Sequence, residues 1–170
     1  WQAHLARAGV ECDVRELLTG DEQHVLHSRR AFVSKLAVLG HSVVRAIRAI
    51  PAARHYDVVW IYRTLLLAGP ATIESLLARI GSPIVYDFDD AIYLPYVSPT
   101  HRRLSYLKFP WKTASLCAMA HTIVAGSPFL AQWALQHNSR VHVVPSTVSL
   151  RYYRPRPGVR RSGPPVIGWT

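Results

Sequence analysis

Apolar residues recur along the chain with two periods, and the places where one gives way to the other mark the elements. Residues 1–8 put Leu5 and Ala8 on one side and Arg7 off it, predicting a helix with Gly9 as its C-cap. Val10 to Val14 alternates and predicts a strand, while residues 19–28 are polar and read as loop. From Arg29 to Ile50 the spacing of Phe32, Leu36, Leu39, Val43, Ile47 and Ile50 by three and four predicts a long helix, ended by Pro51. Asp57 to Tyr62 (Asp-Val-Val-Trp-Ile-Tyr) reads as a buried strand with Arg63 at its end. Ala71 to Ile80 follows as a helix closed by Gly81.

A second buried strand runs through Ile84, Val85 and Tyr86. Leu94 to His101, with Pro95 and Pro99, is loop, and Thr113 to Ala120 is helix. His121 to Ala125 is a third buried strand. Ser127 then serves as N-cap and Pro128 as first residue of a helix buried through Phe129, Trp133 and Leu135. Val141 to Val144 closes the series, residues 151–165 read as an Arg-, Pro- and Gly-rich linker, and Val166 opens a new strand. Alternating strands and helices predict an α/β fold, a Rossmann-like parallel sheet with helices on both faces. The expected domains are 1–150, a linker 151–165, and residues 166–170 as the first strand of a further domain. With a helix already under way at Trp1, the chain reads as an internal piece of a longer protein whose first strand lies upstream.

Charge changes this picture in one respect. Residues 1–90 hold ten Lys and Arg against ten Asp and Glu, whereas residues 91–170 hold ten Lys and Arg and no acid, so the net +10 lies in the second half. That half suits anionic partners such as phosphates or phospholipid headgroups, or else is a solvated basic face. Arg102, Arg103 and Lys108 stand among Tyr106, Phe109 and Trp111, a mixture suited to phosphate, sugar or membrane-interface contact. Residues 113–139 lack Asp, Glu, Lys and Arg and are long enough to cross a bilayer as a helix. Gly126-Ser127-Pro128 interrupts them, which favours helix, strand and helix instead. Cys12 and Cys117 are far apart without metal-ligand spacing, so neither a structural zinc nor a disulfide framework is expected, and a reducing compartment is the default.

The candidate chemistry sits where the second strand ends. Ile84, Val85 and Tyr86 run into Asp87, Asp89 and Asp90. Carboxylates are too costly to desolvate in the middle of a buried strand. They belong at its C-terminal end, where open α/β sheets form their ligand crevice. Asp-x-Asp has a surface likeness to haloacid-dehalogenase-type phosphatases and to phospho-receiver domains. The first would need later acids and the second a later Lys, and the chain has no acid after Asp90 and no Lys after Lys112. A bare divalent-metal site from the three aspartates is short of ligands. The plain structural alternative has one Asp capping the loop and the others solvated.

Several stretches in fixed order carry a resemblance. Tyr-Asp-Val-Val-Trp-Ile-Tyr-Arg, Gly-Ser-Pro-Ile-Val-Tyr-Asp-Phe-Asp-Asp-Ala-Ile-Tyr, Thr-Ile-Val-Ala-Gly-Ser-Pro-Phe-Leu-Ala, Val-His-Val-Val-Pro-Ser-Thr-Val and Pro-Val-Ile-Gly-Trp-Thr together resemble the N-terminal half of a GT-B-fold, family-4-type glycosyltransferase. The resemblance implies a retaining transferase of polysaccharide biosynthesis, this chain supplying the acceptor side of the cleft and being inactive alone. It implies Asp89 and Asp90 near the transferred sugar, with Arg63, Asp87, Tyr93, Ser127 and Thr147 on the acceptor side. Ser146-Thr147 stands where relatives often write Asn-Gly, which weakens the match at that loop. The partners implied are a nucleotide-sugar donor, acting as co-substrate and held mostly by the other half, and a glycan or lipid-linked acceptor. No cofactor, metal or nucleic acid is expected. A cytoplasmic site is implied, with Arg102, Arg103, Lys108 and Trp111 suited to peripheral contact at the inner membrane face. Two other readings stay open: a non-catalytic basic domain binding nucleic acid or an anionic membrane, and a GT-B-like nucleotide-sugar epimerase.

Overall fold

Four short apolar runs find one another in parallel. The computed structural model describes residues 2–28, 32–66, 69–95, 109–150 and 153–154. In it β1 (Val59–Tyr62), β2 (Ile84–Phe88), β3 (Thr122–Ala125) and β4 (Val141–Val143) form one sheet in the order β1-β2-β3-β4, every pair parallel. The α/β class and the parallel sheet are thus as the alternation of elements requires. Helices α4 (Thr72–Ile80), α5 (Lys112–Met119) and α6 (Pro128–Ala134) make the three crossovers. α4 ends at Gly81, whose φ of 115° only glycine takes readily. The Asn138 side-chain amide donates to the Cys117 and Ala120 carbonyls at 2.9 and 2.8 Å, closing the end of α5.

The register decides what each face carries. Ile61, Tyr86, Ile123 and Val141 align across the sheet, and Ile84, Phe88 and Ala125 point the same way. Tyr86, Phe88, Ile123 and Ala125 are wholly buried against Leu116, Cys117, Leu130 and Ala134. The opposite rows, Trp60–Val85–Thr122 and Tyr62–Asp87–Val124–His142, contain no buried side chain. The Rossmann-like α/β fold, a parallel sheet flanked by helices, is the one expected. β1 differs from the fully buried strand expected, since Trp60 and Tyr62 remain 47% and 53% exposed.

The N-terminal third departs further from its pattern. Helix α1 (Gln2–Arg7) ends before Gly9, at φ 78°, as expected. Val10 to Val14 forms no strand, for it has no strand to pair with among the described residues. The polar stretch expected as loop contains helix α2 (Gly20–His27), started by a capping box. Glu22 N–H donates to Thr19 Oγ1, and Thr19 N–H to Glu22 Oε2 at 2.9 Å. Helix α3 (Phe32–Ala53) runs through Pro51 for a further half-turn. Its buried stripe is Val38, Ser42, Ala46, Ile50 and Ala53, whereas Phe32, Leu36 and Ile47 are exposed. In α6 the residues against the sheet are Leu130, Ala131 and Ala134, while Phe129 and Leu135 face outward. Small residues (Ala46 and Ala53 in α3, Ala131 and Ala134 in α6) share the buried sides with Ile50 and Leu130, and Trp133 packs partly buried beside them.

Candidate functional site

β2 delivers its acids in two directions. Because Ile84, Tyr86 and Phe88 point into the core, Val85 and Asp87 point to the open face. Asp87 Oδ2 accepts the Trp60 indole N–H at 3.2 Å from the neighbouring strand. Burial pushes the Asp87 carboxyl above its ordinary range, against that hydrogen bond, and the Asp89 charge adds to the rise. Asp89 and Asp90 lie just past the strand, at the C-terminal edge of the sheet.

Arg63, just past β1, binds both of them. Its Nε and Nη2 donate to Asp89 Oδ1 at 3.1 and 2.9 Å, and Nη2 also contacts Asp90 Oδ2. Tyr62 Oη lies 3.0 Å from both Asp89 oxygens. Partial burial is the largest single influence on the Asp89 carboxyl and pushes it up, but hydrogen bonds from Arg63 and Tyr62 outweigh it and hold the group below its usual range. Asp90 is the freer carboxylate, its side chain 61% exposed against 34% for Asp89.

This fork depends on an unusual backbone. Arg63 has φ 60°, a left-handed conformation uncommon for a residue with a Cβ. Its N–H donates to the Asp87 carbonyl at 2.7 Å, and its carbonyl accepts the buried Tyr86 hydroxyl at 2.8 Å. The peptide is therefore pinned on both sides. The loop that follows is tied down from below. Glu74, fully buried on α4, accepts the Leu65 N–H at 3.3 Å and pairs with Lys112 Nζ at 2.6 Å. Lys112 also donates to the Leu66 carbonyl at 3.1 Å. The second Glu74 oxygen has no hydrogen-bond partner among the described residues.

β3 closes the other side. Gly126 N–H donates to the Phe88 carbonyl at 3.0 Å, and a Cβ at Gly126 would stand 2.9 Å from Asp89 Cα. Gly126→Ala should therefore displace the Asp89 backbone and cost about 1–3 kcal/mol as an overpacking change. Chemical denaturation measures that loss, and an Asp89 carboxyl NMR titration moved upward would show the fork to Arg63 loosened.

The other residues expected at the site are dispersed. Ser127 caps α6, its Oγ accepting the Leu130 N–H at 3.3 Å. Tyr93 stacks on Trp133 with centroids 3.8 Å apart and planes within 4°, so one face of its ring is committed to packing. Thr147 lies exposed in the coil after β4 and makes no side-chain hydrogen bond among the described residues. Trp111 is 54% exposed and meets Phe109 edge-on. Arg102, Arg103 and Lys108 lie outside the described residues, as do residues 155–170, which hold most of the expected linker and the whole of the strand expected after it. Lys112, which the sequence places beside the cationic–aromatic segment, is instead buried against Glu74.

Sequence reasoning missed Tyr62, Tyr86, Gly126 and the Glu74–Lys112 pair as parts of this arrangement. Alternation in Val59–Tyr62 was a signal for Tyr62, since it shares a face with Asp87. No signal pairs Glu74 with a lysine 38 residues later (112 − 74). The three aspartates do not converge as a cation cage, and among the described residues no three His, Cys, Asp or Glu side chains do. A cleft of about 370 Å³ lies at the opposite, N-terminal edge of the sheet, beside Ser82, Ala120, His121 and Arg140, and holds no carboxylate. It is not the place the aspartates serve: Asp87 lies on the sheet face with Trp60, and Asp89 and Asp90 lie at the C-terminal edge. Compared with known proteins, the chain matches no family model and no curated protein sequence.

Proposed function

We propose that this chain forms the acceptor-side wall of a retaining, GT-B-type glycosyltransferase, which moves a sugar from a nucleotide-sugar to a hydroxyl of a glycan or lipid-linked acceptor. The observation that carries the reading is the placement of Asp89 and Asp90 at the C-terminal edge of a parallel sheet, braced by Arg63 from the adjacent strand. Ligands of open α/β sheets bind at that edge. Asp89, held by three donors, is the fixed member and positions Arg63. Asp90 is free to accept a hydrogen bond from the acceptor hydroxyl and to stabilise positive charge growing on the sugar ring. The bond from the anomeric carbon to the phosphate oxygen breaks as the bond to the acceptor oxygen forms on the same face, and the departing phosphate takes the hydroxyl proton. Donor contacts belong, in this reading, to a second domain outside the 170 residues.

The test is transfer from nucleotide-sugars by the whole protein with Asp90→Asn, which leaves the Asp89–Arg63 fork in place. A fall of about 10²-fold or more is expected, in the range for loss of one group that stabilises developing charge. Full activity in that variant, or binding that responds to any polyanion and to salt with no transfer at all, would point to the basic binding domain instead.

A further inference from the structure

Helix α3 has two apolar faces, and among the described residues only one of them is covered. Val38, Ser42, Ala46, Ile50 and Ala53 pack inward. Val33, Leu36, Val44 and Ile47 remain 74%, 50%, 45% and 53% exposed. At about 100° per residue these four, with exposed Gly40, line up on the far side of the helix as one stripe. Arg48 stands at its rim and Arg54 just past its end, both exposed. An apolar stripe of this length on a surface helix marks a surface that meets something.

The occupant can be argued from charge. Between Glu22 and Asp57 the sequence has six Lys and Arg and no acid. Glu22, just before that segment, is already paired with Arg45, so a second copy seated face to face would set Arg48 and Arg54 of each against those of the other with no acid in the segment to relieve the repulsion. The helix is long and apolar enough to cross a membrane, but spanning one would take Ala46, Ile50 and Ala53 out of the core cluster they share with Ile61 and Leu77. What fits an apolar stripe edged with cations is a surface both apolar and negatively charged. The geometry points to an anionic phospholipid bilayer as the occupant. Helix α3 lies flat in the interface, Val33, Leu36, Val44 and Ile47 reach among the acyl chains, and Arg48 and Arg54 meet headgroup phosphates. This surface is built on α3 and does not rest on the glycosyltransferase reading.

Co-sedimentation of the full chain with vesicles of phosphatidylcholine alone, and of phosphatidylcholine mixed with phosphatidylglycerol, tests it. Binding is expected on the mixed vesicles only, weakening as salt rises. Ile47→Glu and Val44→Glu should each weaken it about tenfold or more, the effect of withdrawing one apolar side chain of that size from lipid. Arg48→Glu should weaken it without touching the apolar stripe. Circular dichroism melts identify any variant that fails to fold, and the three substitutions are read independently. Equal binding to both vesicle types, no binding to either, or binding unchanged in every folded variant overturns the proposal. So does a concentration-dependent dimer in analytical ultracentrifugation that Ile47→Glu dissolves, since the second copy would then be the occupant.

Discussion

Lys112→Met should cost about 3–5 kcal/mol of folding free energy, the price of leaving a buried carboxylate without its cation. Glu74 is fully buried, one of its oxygens already lacks a partner, and among the described residues Lys112 is the only cation paired with it. The two groups are also structural ties, Glu74 to the Leu65 N–H and Lys112 to the Leu66 carbonyl. Adding Glu74→Gln to Lys112→Met should recover at least half of the loss. The carboxamide keeps an acceptor for Leu65 and carries no charge to desolvate. Urea unfolding of both variants gives the comparison. A loss under about 1 kcal/mol for Lys112→Met would place the pair among exposed ion pairs and contradict its burial.

Arg63→Met is the change with the largest expected effect on the proposed chemistry. It should lower sugar transfer by about 10²–10³-fold, because it frees Asp89 and Asp90 together from the geometry that aims them. Arg63→Lys should recover little: one ammonium cannot reproduce a planar fork that reaches two carboxylates. Stability against pH offers a readout separate from activity. An acid held down in the folded state stabilises the fold above its unfolded pKa, about 3.9, and that contribution is lost as pH falls through the folded value. Asp89 supplies such an acid-side loss, and Arg63→Met should remove it. Asp87 has the opposite sign. Its raised carboxyl favours the protonated fold, so its contribution is fully present below the ordinary value and is lost as pH rises through the raised one. NMR titration of the two carboxyls in the wild-type and variant chains separates them. An Asp89 pKa unchanged by Arg63→Met would show that the fork does not control it.

The reach of the sequence differed from element to element for physical reasons. β2, β3 and α4 were legible because short apolar runs are bounded by Gly and Pro, and a parallel strand with acids at its end has one sensible direction. The capping box at Thr19 and Glu22 was also present in the sequence, but the polar residues around it masked helix α2. In α3 both Leu36–Ile47 and Val38–Ile50 keep helical spacing, and periodicity cannot say which stripe packs inward. In α6 Trp133 packs against the core as expected, whereas Phe129 and Leu135 face outward and Leu130, Ala131 and Ala134 are the buried positions.

By itself the sequence determined the alternation of strands and helices, hence the parallel α/β sheet, and it put the acids where β2 runs out. Those are local matters, settled by the period of apolar residues and by the cost of burying charge. Only the tertiary structure decided that Asp89 is clasped by Arg63 and Tyr62, that Lys112 is buried against Glu74, and that one sheet face and one stripe of α3 stay open. Such pairings depend on strand register and on how closely helices approach, and residues far apart along a chain acquire those relations only when it folds.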